Sequence, residues 1–134
     1  MTLRKEDRNA LVTLRLEKAK KTLIEAKDNI ELGHWHAATN RLYYACFYAV
    51  CALLVQKGIT ARTHSGVVNQ LGLHFVKEGL ISEEQNKLYV RLFGLRQTGD
   101  YDDWIILQED DVTPFVEPVQ TFIEEIENLI MNNE

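Results

Sequence analysis

The sequence predicts an all-α protein: an up-and-down bundle of four or five helices in a single domain spanning residues 1–134. Three observations carry this. Residues 42–55 run without a charge, a glycine or a proline, and their apolar side chains fall on every side of a helix rather than along one stripe. A helix apolar all round is a buried one. Both flanking regions carry apolar residues at spacings of three and four, the period of a helix that buries one face. No stretch alternates apolar and polar residues as a half-buried strand does.

The first helix is expected over about residues 7–32. Val12, Leu16, Ala19, Leu23, Ala26 and Ile30 form one stripe, and Lys18, Lys20, Lys21, Lys27 and Asp28 lie outside it. Gly33 stands where a helix ends in a left-handed residue. The second helix opens near Trp35 and closes before Gly58, and the short connection makes the first two helices antiparallel neighbours. The apolar core of this second helix is shorter than the roughly 20 residues that cross a bilayer, so it reads as a bundle core without a membrane partner. Residues 58–64 read as a loop in which Thr63 or Ser65 caps the next helix.

That third helix covers about residues 65–77, with Val67 or Val68, Leu71 and Phe75 inward, and Gly79 ends it. Ser82 with Gln85 three residues on is a capping box for the fourth helix. This helix is expected to turn Leu88, Leu92 and Leu95 inward and to end near Thr98 and Gly99. Residues 100–111 read as a loop, packed back through Trp104, Ile105 and Ile106. The last helix starts at Asp111 or Thr113, with Pro114 in its first turn and Pro118 delaying its regular part. Phe115, Val119, Phe122, Ile126 and Leu129, joined by Ile123 and Ile130, form its inner face.

Charge narrows the function. A net charge of −5 argues against a generic nucleic-acid binder. The charges are segregated, however. Residues 32–77 hold no Asp or Glu but do hold Arg41, Lys57, Arg62, Lys77 and all four His, whereas residues 97–134 hold eleven acids and no Lys or Arg. The charged N-terminus lacks the apolar run of a signal peptide, which with two unpaired thiols points to a cytoplasmic protein. Cys46 and Cys51 are five apart and diverge on one helix. His34 and His36, two apart, and His64 and His74, ten apart, do not make a ligand set. No metal or cofactor is expected, and no glycine-rich phosphate loop is present.

Two clusters remain. Arg41, with Tyr43 and Tyr44, sits at the entry of the buried helix and needs a partner if covered, a carboxylate for instance. Arg96, with Asp100 and Tyr101, lies at the end of the fourth helix, where a guanidinium beside a phenol could hold a phosphate.

These residues resemble the HEPN superfamily, in particular its small stand-alone prokaryotic members. The match runs through Arg41, Leu42, Tyr43, Tyr44, Ala45, Tyr48 and Ala49, then His64, Ser65 and Gly66, then Phe75, Val76, Gly79, Leu80 and Ile81, then Arg96, Asp100 and Tyr101. The resemblance implies a helical bundle that forms homodimers, and pairing with a small nucleotidyltransferase in a toxin–antitoxin-like module. In such modules the HEPN protein is often a metal-independent endoribonuclease, whose Arg polarises phosphate and whose His, after an interval of four to six residues, assists attack by the ribose 2′-hydroxyl. Here Tyr101, Asp102 and Asp103 occupy the His positions. A phenol that titrates near 10 is a poor base at neutral pH.

The leading expectation is therefore a non-catalytic or weakly catalytic HEPN module that dimerises through the helices carrying Arg41 and Arg96. Its binding residues would be Arg41, Tyr44, Arg96 and Asp100. The first alternative is an endoribonuclease toxin using Arg96 with Tyr101, or with His64 if the third helix begins beside the end of the fourth. The second is an adaptor that binds a nucleotide or another ligand between helices.

Overall fold

The computed structural model describes residues 3–101 and 106–132. The elements, in chain order, are α1 (Lys5–Glu31), α2 (Trp35–Gln56), α3 (His64–Leu71), a π-helical turn (Gly72–Val76), α4 (Glu83–Tyr101), the short α5 (Glu109–Val112), a 3₁₀ turn (Thr113–Phe115) and α6 (Val116–Met131). All regular structure among the described residues is helical.

α2 is the axis. Leu42, Tyr43, Ala45, Cys46, Ala49, Val50, Ala52 and Leu53 are fully buried. α1, α3, α4, α5 and α6 all pack against it, α1 along the greatest length. By length and composition alone α2 would also suit a membrane, with a mean hydropathy of 1.2 over its most apolar window, yet 61% of that window is buried within the bundle. The small Ala38, Ala45, Ala49 and Ala52 let neighbouring helices approach closely.

α1 and α2 form an antiparallel hairpin through a tight turn. Gly33 has a φ of 73°, a conformation that costs a residue with a Cβ. Its N–H donates to Ile30 O at 3.0 Å and that of His34 to Asn29 O at 2.8 Å. This paired arrangement satisfies carbonyls that the helix end leaves open. The α1 stripe is buried as spaced, from Val12 through Ala26, with Ile30 half-buried. The Ser82–Gln85 box forms in both directions at 3.1 Å.

The structure departs from the sequence expectation in four places. The third helix widens into a π turn, where Lys77 N–H donates to Gly72 O at 3.0 Å. Val67, Leu71 and Phe75 are four apart, and a turn of 3.6 residues would carry them progressively off one line. The wider turn takes up that drift, and all three are buried. On α4, Tyr89 and Leu92 are buried while Leu88 and Leu95 are only half-covered, so the inner line is centred one residue from the leucine stripe. α4 also continues through Gly99 and Asp100 to Tyr101.

Of the segment read as packing back, Trp104 and Ile105 lie outside the described residues, Ile106 is exposed and Leu107 is buried instead. The fourth departure is a separate turn, α5, before the last helix. Gln108 N–H donates to Asp111 Oδ2 at 2.9 Å to cap it. The 3₁₀ turn holding Pro114 follows, and α6 is regular only from Val116. Its face of Val119, Phe122, Ile123, Ile126 and Ile130 is buried, with Phe115 and Leu129 at the margins. Gln56 Nε2 donates to Ile130 O at 2.7 Å and ties the ends of α2 and α6 together.

Leu53→Ala, at a fully buried position on the axis, should cost about 2–5 kcal/mol in urea unfolding. Leu14→Ala, at an exposed position on α1, should change stability by less than about 0.5 kcal/mol in the same assay.

Candidate functional site

Residues from three helices converge on the aromatic side of α2. Tyr43 is fully buried; Tyr44, Phe47 and Tyr48, on the adjoining face, are half-covered. α4 adds Tyr89, whose ring lies parallel to Tyr43 at 5.9 Å, and Phe93 at 5.8 Å. The His64 ring stacks on Phe47 at 4.5 Å and meets Tyr44 edge-on at 5.7 Å.

The chain places His64 with care. Thr63 is extended, and its Oγ1 accepts a hydrogen bond from Gly66 N–H at 2.9 Å, which starts α3 at His64. A Cβ on residue 66 would stand 2.9 Å from that same oxygen, so only glycine leaves room for the cap. The ring is then fixed by a hydrogen bond of 2.6 Å between Tyr43 Oη and His64 Nδ1.

Arg96, one turn after Leu92 on α4, brings its guanidinium over the rings of Tyr43 and Tyr44, at 5.7 and 5.4 Å from their centroids. His64 lies 5.7 Å from the same two ring centroids. The two residues, 32 positions apart in sequence, therefore share one aromatic floor. Burial, and then the nearby Arg96 charge, lower the His64 pKa below 6.5, so the imidazole is neutral at physiological pH. Burial drives the Tyr43 phenol well above 10, with Arg96 opposing weakly. It therefore stays protonated.

Arg41 comes to the same floor from the other side, 5.2 Å from the Tyr44 centroid. Tyr44 thus carries a guanidinium from α2 and another from α4, and the two clusters read separately in the sequence meet on its ring. Arg41 has the expected carboxylate partner, Glu25 on α1 at 3.5 Å, and donates through Nε and Nη2 to Asn40 Oδ1 at 3.1 and 2.8 Å. Lys18, also on α1, extends the row of cations, with Nζ 4.5 Å over Tyr48.

Asp100 and Tyr101 fall in the last turn of α4, but their side chains, like Asp102 and Asp103 entirely, lie outside the described residues. The two thiols stand apart from the site chemistry: both are free, and burial pushes Cys51 up to about 11 and Cys46 higher still. Sequence reasoning missed Tyr89 and Phe93. Their helical spacing, seven and three residues before Arg96, was the available signal.

Chemically, this is a half-buried patch of π faces with two guanidinium groups and a neutral imidazole around it. Guanidinium groups bind phosphate in two-pronged fashion, and aromatic rings accept stacked bases.

The HEPN domain family profile matches residues 12–129. A UPF0332 protein of Thermotoga maritima is 39% identical over 113 residues, 84% of this chain and 86% of its own length. A candidate toxin of Methanocaldococcus jannaschii is 35% identical over 99 residues, 74% of this chain and 73% of its own. The crystal structure of TT1696 from Thermus thermophilus superimposes with a TM-score of 0.74, covering 87% of this chain and 96% of that one at 18% identity. That likeness is one of fold.

Two measurements check the site's construction. Arg96→Gln removes the cation that disfavours imidazolium. The His64 pKa should rise in an NMR pH titration while staying below 6.5, because burial remains. Gly66→Ala should displace the Thr63 cap and cost about 1 kcal/mol in urea unfolding.

Proposed function

Given that the chain belongs to the HEPN domain family, we propose that it is an RNA-directed module of a toxin–antitoxin-like system. It grips a phosphodiester between Arg96 and His64 and cleaves weakly or not at all. The observation that carries this reading is the shared floor: a guanidinium and a neutral imidazole each within 5.7 Å of the rings of Tyr43 and Tyr44. Arg41 on the far side of Tyr44 supplies a second cation for the neighbouring phosphate of a strand. The names of the M. jannaschii relatives support the toxin-like setting.

The module works as a homodimer through the faces that carry Arg41 and Arg96, and acts with a nucleotidyltransferase partner. The segregation of charge supports this, with the cations around the aromatic floor and an acidic α6 elsewhere.

A second reading, an endoribonuclease toxin, gains from the position of His64. In that reaction the imidazole takes the 2′-hydroxyl proton while Arg96 stabilises the charge gathering on phosphorus oxygens. Tyr101 is the other candidate base, at a disadvantage for a phenol at pH 7.

Cleavage of a mixed RNA pool by wild type, Arg96→Ala and His64→Ala, all prepared identically, separates the readings. A binding module leaves the pool intact, binds it, and loses about tenfold to a hundredfold in affinity with Arg96→Ala, the loss of one charged hydrogen-bond pair. A nuclease cuts as wild type only. Equal affinity of all three proteins for RNA would sink the RNA-directed reading.

A further inference from the structure

The bond between Tyr43 and His64 admits two hydrogen placements. In one, the phenol donates, Nδ1 accepts and the imidazole proton sits on Nε2. In the other, Nδ1–H donates to the phenol oxygen and Nε2 carries the lone pair. The two make opposite sites. The first offers an N–H to an anion, and the second offers a base.

Distance and acidity decide between them. The bond is 2.6 Å long, shorter than the roughly 2.7–3.2 Å of an N–H donor to oxygen and suited to a hydroxyl donor. A phenol is also a far stronger acid than a neutral imidazole N–H, and an imidazole nitrogen a far better acceptor than a phenol oxygen. Burial keeps Tyr43 in the O–H form, so the proton points from Tyr43 to His64 Nδ1.

We infer that Tyr43 is a positioning residue that locks His64 as its Nε2–H tautomer, so that the neutral imidazole presents an N–H donor beside Arg96. This rests on, and sharpens, the phosphate-gripping reading. Two donors side by side bind an anion without a base between them. For Nε2 to take a 2′-hydroxyl proton, the imidazole proton would first have to move to Nδ1 and the Tyr43 hydroxyl would have to turn away from it. The bond from Tyr43 thus supplies a physical reason for weak catalysis in a site that still binds.

The test is the tautomer itself, read on the full chain with ¹⁵N-labelled histidine by two-bond proton–nitrogen correlation at pH 7.5. The expected wild-type result is a single tautomer, Nε2 protonated and Nδ1 with the shift of a hydrogen-bonded acceptor. Tyr43→Phe, checked for folding by its thermal melt, should relax His64 to the ordinary mixture of both tautomers. Nδ1–H in the wild type overturns the inference, and this measurement stands even if the variant does not fold. A folded Tyr43→Phe with the Nε2–H form unchanged also overturns it.

Titration with inorganic phosphate completes the test. Wild type should shift its His64 Nε2–H resonance, and Arg96→Ala should abolish that shift. A locked tautomer with no response to phosphate would leave the tautomer lock standing and remove the phosphate-gripping reading, so the two fail separately.

Discussion

The whole molecule answers one constraint: α2 has no face that can be left to water. An amphipathic helix is satisfied by one neighbour, but a helix apolar on all sides must be wrapped. The wrapping fixes the topology. α1 covers one side through the hairpin, α6 returns to cover another, and α3 and α4 close the third. Apolar stripes of the ordinary kind suffice on α1 and α6, because each has only one surface to hide.

The third side is where the wrapping is least hydrocarbon-like. There α2 turns out Tyr43, Tyr44, Phe47 and Tyr48, and the covering elements contribute His64, Tyr89, Phe93 and Arg96. Rings bury large areas while their faces tolerate cations, so a seam can be closed and still hold charge. The site is that seam. Its groups owe their perturbed titration to the burial that keeps the bundle together, and function and stability draw on the same contacts.

The sequence made the bundle legible because periodicity is a one-dimensional signal: the stripes of α1 and α6, the glycine at 33 and the capping box at Ser82 all emerge where their spacing places them. It was less informative on α4. There the leucines pull the eye to residues 88, 92 and 95, while the buried centre is Tyr89, a residue whose hydroxyl makes it look like surface. Gly99 reads as a stop but is a stop only where the backbone turns left-handed, and here the helix runs on. The site was half legible. Arg41, Tyr44, His64 and Arg96 stand out singly, but that His64 reaches Tyr43 across the loop of residues 58–63, and that both arginines end on one tyrosine ring, are facts of packing. No local pattern encodes them.

The hairpin of α1 and α2 has a consequence in time. Its contacts join neighbours along the chain, so their loop-closure cost is small and they can form early. The aromatic seam instead needs α4, which begins some 27 residues beyond the end of α2, and its covering α6 comes later still. A chain emerging from the ribosome thus holds a largely formed scaffold well before α4 adds Tyr89, Phe93 and Arg96. The cation and tyrosine face that α2 carries are thus made first, and the imidazole and second guanidinium that complete the cluster join only when α3 and α4 dock.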